Sequence, residues 1–153
     1  MSSASQGSHY ERELVNAFDA AGYGALRAPS SGSASDRPLP DLLVGRPRRV
    51  ETATGELEDV TDLLAIEAKA TGSTTAYAEG AEVDALCEAA RAWGAKPLLA
   101  ARFKRRGEAR IWYLVHPTDC RRTDGGRFGI PESDAEERAC LMVDATDELV
   151  VHP

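Results

Sequence analysis

At 153 residues the chain can bury one core of a sheet and a few helices but not two, so one domain with one site is expected. Its 25 acidic against 18 basic residues leave a net charge of −7, which argues against non-specific attachment to nucleic acid by global charge. No segment approaches the ~18 consecutive apolar residues of a membrane span, and residues 1–8 lack the basic-then-apolar pattern of a leader, so a soluble cytoplasmic protein with no membrane contact is expected.

Leu14, Val15 and Phe18 recur at helical spacing after Ser8, a residue suited to an N-cap, and Gly22 ends the pattern, which predicts a helix over about 9–21. Glu11 projects onto the same apolar stripe. A carboxylate there is costly unless it is paired or binds a metal; the other reading, an acid favoured in the first turn by the helix dipole, stays open. Residues 23–28 read as a strand, and 29–40, rich in Ser, Gly and Pro, as a loop. Residues 42–44 and 63–69 are a second and third strand, and 46–62, with Pro47 and Gly55, is a long hairpin with an acidic distal half.

The stretch 71–77 is polar, carries no basic residue and is expected to be mobile. Val83, Leu86, Cys87, Ala90 and Trp93 then mark a second amphipathic helix, closed by Gly94 and Pro97, whose apolar face as far as Trp93 is read as core. Residues 97–103 and 110–115 are two more strands around a turn at 104–107. From 117 onward the chain is loop-rich, with 141–143 and 149–151 as short strand candidates. This order predicts an α/β sandwich around a mixed sheet, with the site where the first helix meets the second and third strands.

The chemistry concentrates in Pro40-Asp41 and Ile66-Glu67-Ala68-Lys69. Side chains alternate along a strand, so Glu67 and Lys69 point to one side of the sheet. Asp41, at the mouth of the neighbouring strand, can bring a second carboxylate to one divalent cation and leave Lys69 to act on a water or phosphate oxygen. Carboxylates without nearby histidine or thiolate suit magnesium or manganese rather than zinc. Lysine is scarce here (Lys69, Lys96, Lys104) and arginine is the default, so the compact ammonium at 69 reads as chosen over a guanidinium fork.

The remaining features are less specific. Arg46, Arg48 and Arg49, and again Arg102, Lys104, Arg105 and Arg106, are local basic clusters that either contact phosphates or are solvated faces. Cys87, Cys120 and Cys140 are odd in number, without C-x-x-C spacing, and read as reduced and structural. His9, His116 and His152 are isolated. Abundant Asp, Glu and Ala with little Lys is similar to proteins of salt-loving organisms, where a Debye length of roughly 3 Å lets an acidic surface approach DNA.

Taken in order, Glu11-Arg12-Glu13-Leu14, Arg27-Ala28-Pro29-Ser30-Ser31-Gly32, Pro40-Asp41 and Glu67-Ala68-Lys69 resemble the archaeal Holliday junction resolvases of the Hjc type, in the PD-(D/E)xK nuclease superfamily. The resemblance runs from about residue 7 to 115 and includes Trp93-Gly94-Ala95-Lys96-Pro97 and Phe103-Lys104. It implies a restriction-endonuclease-like three-layer α/β sandwich with a central mixed five-stranded sheet flanked by helices, as one nuclease domain with its core at about 7–115 and a C-terminal extension at 116–153. By the same resemblance Glu11, Asp41 and Glu67 are magnesium ligands, manganese can substitute, and no organic cofactor is used. Lys69 positions the attacking water, Ser31 is a loop residue essential for cleavage, and Arg12 and Arg27, with Ser31, contact DNA.

The implied activity is that of a crossover junction endodeoxyribonuclease, a homodimer that grips four-way junction DNA and nicks two strands symmetrically in recombination and repair. Two alternatives remain at this stage. One is a related endonuclease acting on duplex, against which the loop signature and the small size speak. The other is a junction-binding scaffold without catalysis, against which the set Glu11, Asp41, Glu67 and Lys69 speaks.

Overall fold

The computed structural model describes residues 3–28 and 37–152, with side chains from residue 7 onward. Helix α1 (Ser3–Ala20) leads into β1 (Gly24–Arg27), the hairpin strands β2 (Leu42–Glu51) and β3 (Leu57–Thr71), β4 (Thr75–Ala78) and helix α2 (Gly80–Trp93). Strands β5 (Lys96–Phe103), β6 (Ile111–Val115), β7 (Arg121–Arg122) and β8 (Phe128–Pro131), the short helix α3 (Ala135–Arg138), β9 (Leu141–Asp144) and β10 (Leu149–Val151) complete it. The strands β1-β2-β3-β5-β6-β9-β10, side by side in that order, form a seven-stranded mixed sheet in which only β3 and β5 are parallel. A second, antiparallel sheet has the order β4-β8-β7.

Alternation along the central strands sorts the core into two halves. Leu98 and Ala100 of β5 and Ile66 of β3 face α1, where they meet Leu14, Ala17 and Phe18. Leu99, Ala101 and Phe103 of β5 and Ala65 of β3 face the other way, toward Val83, Leu86 and Ala90 of α2 and toward the small sheet. The three layers are therefore α1, the large sheet, and α2 with the small sheet. No helix among the described residues is long and apolar enough to cross a membrane.

Four expectations are corrected. The sheet has seven strands rather than five, because β9 pairs with β6 and turns Leu141 and Val143 onto Trp112 and Leu114 in the α1-side core. Helix α1 begins well before Ser8, whose hydroxyl caps nothing and instead accepts a hydrogen bond from Arg27 Nη2 at 2.6 Å. The segment 71–77 is no mobile loop: β4 buries Ala76 and Ala78 and pairs with β8, a partner some fifty residues away along the chain (from Ala78 to Phe128). Trp93, at the end of α2, is 54% exposed, because Gly94 closes the helix in the left-handed conformation (φ 65°) before that turn reaches the core.

The long hairpin forms as expected, with β2 and β3 paired from Leu42↔Ile66 out to Glu51↔Leu57. Strand β1 covers β2 only as far as Gly45, so β2 is an edge strand beyond that point, where Pro47 can lack an N–H without leaving a gap in the ladder.

Helix α1 is fastened to the sheet through Glu13. Its Oε1 accepts hydrogen bonds from Arg102 Nε of β5 (2.6 Å) and Trp112 Nε1 of β6 (2.9 Å), and Oε2 from Arg110 Nη1 (3.4 Å). Glu13 and Arg102 are nearly withdrawn from water, with side chains 7% and 10% exposed. Removing one member of a buried pair strands the other, so Glu13→Ala is expected to lower the unfolding free energy by about 3 to 5 kcal/mol. Urea denaturation measures it, and a loss within the range of an exposed pair, under about 1 kcal/mol, would show that α1 is held by apolar contacts alone.

Candidate active site

The site lies where strand pairing stops. Strand β2 begins at Leu42, opposite Ile66, while β3 continues to Thr71 with β5 on its other flank. Into the space on the flank of β3 that has no strand partner past Ile66 among the described residues comes Asp41, whose Oδ2 accepts the backbone N–H of Ala68 at 2.9 Å. Glu67 and Lys69 are in step with Ala65 and so point to the α2 side of the sheet. There Glu82, in the first turn of α2, accepts a hydrogen bond from Lys69 Nζ, which also lies 3.7 Å from Glu67 Oε1. Glu67 in turn hydrogen-bonds Asp41.

Glu11 approaches from α1. With Tyr10, Lys69 and Lys104 it lines a cleft of about 220 Å³. Its carboxylate accepts from Arg27 Nε at 2.9 Å, which draws it away from the Asp41–Glu67 pair. Among the described residues no three Asp, Glu, His or Cys side chains stand close enough to enclose an ion as they are.

The electrostatics follow from crowding acids out of water. Burial, then the charge of Asp41, pushes the Glu67 carboxyl up to about 8. Burial also raises Asp41, against the lowering effect of the Ala68 N–H and the Glu67 hydrogen bond. Glu11 is raised by burial and by Asp41, with Arg27 opposing. Burial alone would pull Lys69 down, but Glu82, Glu67 and Asp41 together hold it above the ordinary lysine value. Two adjacent carboxyls therefore share a proton beside a firmly charged ammonium. An oxygen-only donor pair that retains a proton for want of positive charge is the kind of set that suits a hard divalent cation in the proton's place.

The other expected residues are distributed differently. Ser31 lies outside the described residues. Arg27 is half-buried and engaged with Glu11 and Ser8. Arg12 is exposed and lines a separate cleft of about 320 Å³ with His9, Asn16, Arg110 and Glu148. In the hairpin Arg48 and Arg49 face Asp62 and Asp59 at 2.5 and 3.0 Å, and Arg105 is bonded to Glu132 and to the carbonyls of Gly72 and Ser73. Of the second cluster only Lys104 reaches the site cleft, over the ring of Tyr10 at 5.5 Å. Cys87, Cys120 and Cys140 are all free thiols.

Glu82 is the site residue that reading the sequence overlooked, and a signal was present. It lies four residues before Leu86 on the buried stripe of α2, the same misplacement of an acid that singled out Glu11.

The layered sheet and the carboxylate–lysine cluster at its open strand end are those of a nuclease. A family model described as archaeal Holliday junction resolvase (Hjc) matches residues 2–145, and the chain belongs to that family. Among solved structures, that of Archaeoglobus fulgidus Hjc, a Holliday junction resolvase from an archaeal hyperthermophile, matches with a TM-score of 0.64 and 26% identity, covering 94% of this chain and 100% of that one. No curated protein matches the chain.

The proton on Glu67 has a measurable consequence. In the folded chain it persists to about pH 8, whereas the unfolded carboxyl titrates near 4.5. Between these values the folded state binds more protons than the unfolded, so stability falls as pH rises through the window and levels off above it. Glu67→Gln is expected to remove this component of the pH dependence. Unfolding free energies measured without divalent ions from about pH 5 to about pH 9 check it, and a slope that the substitution leaves unchanged would put the proton elsewhere.

Proposed function

We propose that the chain hydrolyses phosphodiester bonds in four-way DNA junctions by a magnesium-dependent reaction at Asp41, Glu67 and Lys69, cutting two strands symmetrically as a homodimer in recombination and repair. The convergence of these three side chains at the open end of β3, in a chain of the Hjc family, carries the reading. Asp41 and Glu67 would hold the ion, with Glu11 completing the set on release from Arg27; manganese can substitute, and no organic cofactor is called for. A bound divalent cation would supply charge to the scissile phosphate and acidify a water.

The chain's own groups do the rest. Water adds to phosphorus and gives up a proton, one P–O bond breaks, and the leaving oxygen takes up a proton from solvent. Lys69 is kept charged by Glu82 and Glu67, so its ammonium can orient the water and offset negative charge on the phosphoryl oxygens in the transition state. Withdrawal of the acids from bulk water strengthens each of these interactions. Ser31, which follows β1 in the sequence, is assigned a part in cleavage, and Arg12 a phosphate contact at the edge of the surface. Arg27 acts first on Glu11.

A homodimer belongs to this reading because two symmetric cuts need two sites and each chain carries one. The free thiols suit the reducing cytoplasm. The acidic surface suits a salt-rich interior, in which local charges outweigh the net −7.

The deciding experiment incubates the protein with a labelled, fixed four-way junction and with matched linear duplex, with magnesium, at low and at molar potassium chloride. Paired symmetric nicks in the junction alone are expected; equal cutting of the duplex would make this a duplex endonuclease, and binding without cutting a scaffold. Asp41→Asn and Glu67→Gln each remove one negative ligand while keeping shape, so they are expected to abolish cleavage and leave junction binding largely intact. Cleavage by either variant within about tenfold of wild type would remove metal ligation from the account. Lys69→Arg is expected to be nearly as inactive as Lys69→Ala, because a guanidinium cannot place a compact charge at the same point; wild-type rates in the arginine variant would show that any cation serves.

A further inference from the structure

The segment that follows Lys69 carries no basic residue, yet the fold brings arginines to it from far along the chain. Strand β4 pairs with β8, and β8 with β7, so that Tyr77, Gly129 and Arg121 stand in one row across the small sheet. Ala76, Ala78, Ile130 and Phe128 point inward to the core. Tyr77 and Arg121 therefore share the outward face, and Arg127, two residues before Gly129, joins them.

This face is ordered. A Cβ at Gly129 would lie 3.1 Å from Cε1 of Tyr77, so the glycine leaves the space in which the tyrosine ring lies flat on the sheet. The guanidinium of Arg127 is stacked on that ring, 4.1 Å from its centroid. Two neighbouring carboxylates are held by other arginines, Glu132 by Arg105 and Asp134 by Arg138. Among the described residues no carboxylate comes within 4 Å of the guanidinium of Arg121 or Arg127, although Asp134 feels the charge of Arg121 from further off.

The ribbon also adjoins the site. The carbonyl of Gly126, in its turn, would lie 3.0 Å from a Cβ on Gly80, the first residue of α2, and two residues further on Glu82 holds Lys69. We propose that the outward face of the β4-β8-β7 ribbon, with Arg121 and the Arg127–Tyr77 stack, is a contact surface for the phosphate backbone of a duplex arm beside the cut site. Charge complementarity selects this occupant, because two guanidiniums that no carboxylate holds in a direct ion pair offer forked donors to phosphate oxygens. Stacking on Tyr77 holds Arg127 in place before DNA arrives, which reduces the ordering cost of binding. The inference depends on the reading of the chain as a DNA junction nuclease.

The test is a set of fluorescence anisotropy titrations of a fixed four-way junction and a matched linear duplex, over a range of potassium chloride and without divalent ions. The double substitution Arg121→Gln, Arg127→Gln is expected to weaken junction binding by about tenfold or more and to change the slope of log affinity against log salt by about two, the value for two lost phosphate contacts. Arg48→Gln with Arg49→Gln, an equal change of charge on the hairpin, is expected to stay within about twofold of wild type. Tyr77→Phe should keep the affinity and Tyr77→Ser lower it.

A double variant that binds like wild type, or a hairpin control that loses as much, overturns the proposal. The arginines are exposed, so their substitution tests it even if Tyr77→Ser does not fold. Equal binding of junction and duplex by the wild type, with the double variant weaker on both, would sink the junction reading while leaving the ribbon contact standing. Wild type that binds neither DNA overturns both.

Discussion

Glu13 turns its carboxylate from α1 into the sheet, where one oxygen takes the N–H groups of both Arg102 and Trp112. Withdrawing a carboxylate and a guanidinium from water is expensive, and their attraction compensates only when hydrogen-bond geometry is good. Few rotations of α1 about its axis satisfy both donors at once. The helix is thereby set in rotation and height, and with it Glu11, two residues earlier, and Tyr10, whose ring lies under Arg102 at 5.4 Å. Apolar contacts of Leu14 and Phe18 tolerate sliding; the Glu13 bonds do not.

Around that anchor the site gathers from four elements. Asp41 enters at the start of β2, Glu67 and Lys69 from β3, and Glu82 from α2, while Glu11 reaches the cleft from the opposite face of the sheet. A strand end left without a neighbour is usually a hazard, because its open backbone groups invite pairing. Here Asp41 takes one of those groups, the Ala68 N–H, so the same carboxylate both finishes the sheet and faces Glu67. The acids outnumber the cations at this spot, and the shared proton on Asp41 and Glu67 expresses that imbalance.

The elements that carry their own periodicity were legible in the sequence. The stripe Leu14, Val15, Phe18 marked α1, Val83 to Ala90 marked α2, and the hydrophobic runs before Glu67 and around Leu98 marked the central strands. The pairing of Glu67 with Lys69 followed from strand alternation alone. What stayed hidden depended on partners remote in sequence. β4 is too short and too rich in alanine to announce itself, and only β8 makes it a strand. Ser8 reads as a cap because its bond to Arg27 cannot be seen locally. Glu82 stays unassigned by the sequence although its position on a buried stripe is visible, since its partner Lys69 stands on another element.

The hairpin separates two lengths that a sequence motif joins. Asp41 and Glu67 are neighbours because Leu42 pairs with Ile66, and every pair beyond that one merely lengthens the stem toward Thr52 and Gly55. Insertion or deletion of matched residues at the tip would leave the register at the base untouched, since each strand moves by the same amount. The spacing between the two acids is therefore a free variable of the fold, open to drift or to design. A stem of this kind can be grown into a handle for another domain, or cut back to a tight turn, while the chemistry at its foot stays where it is.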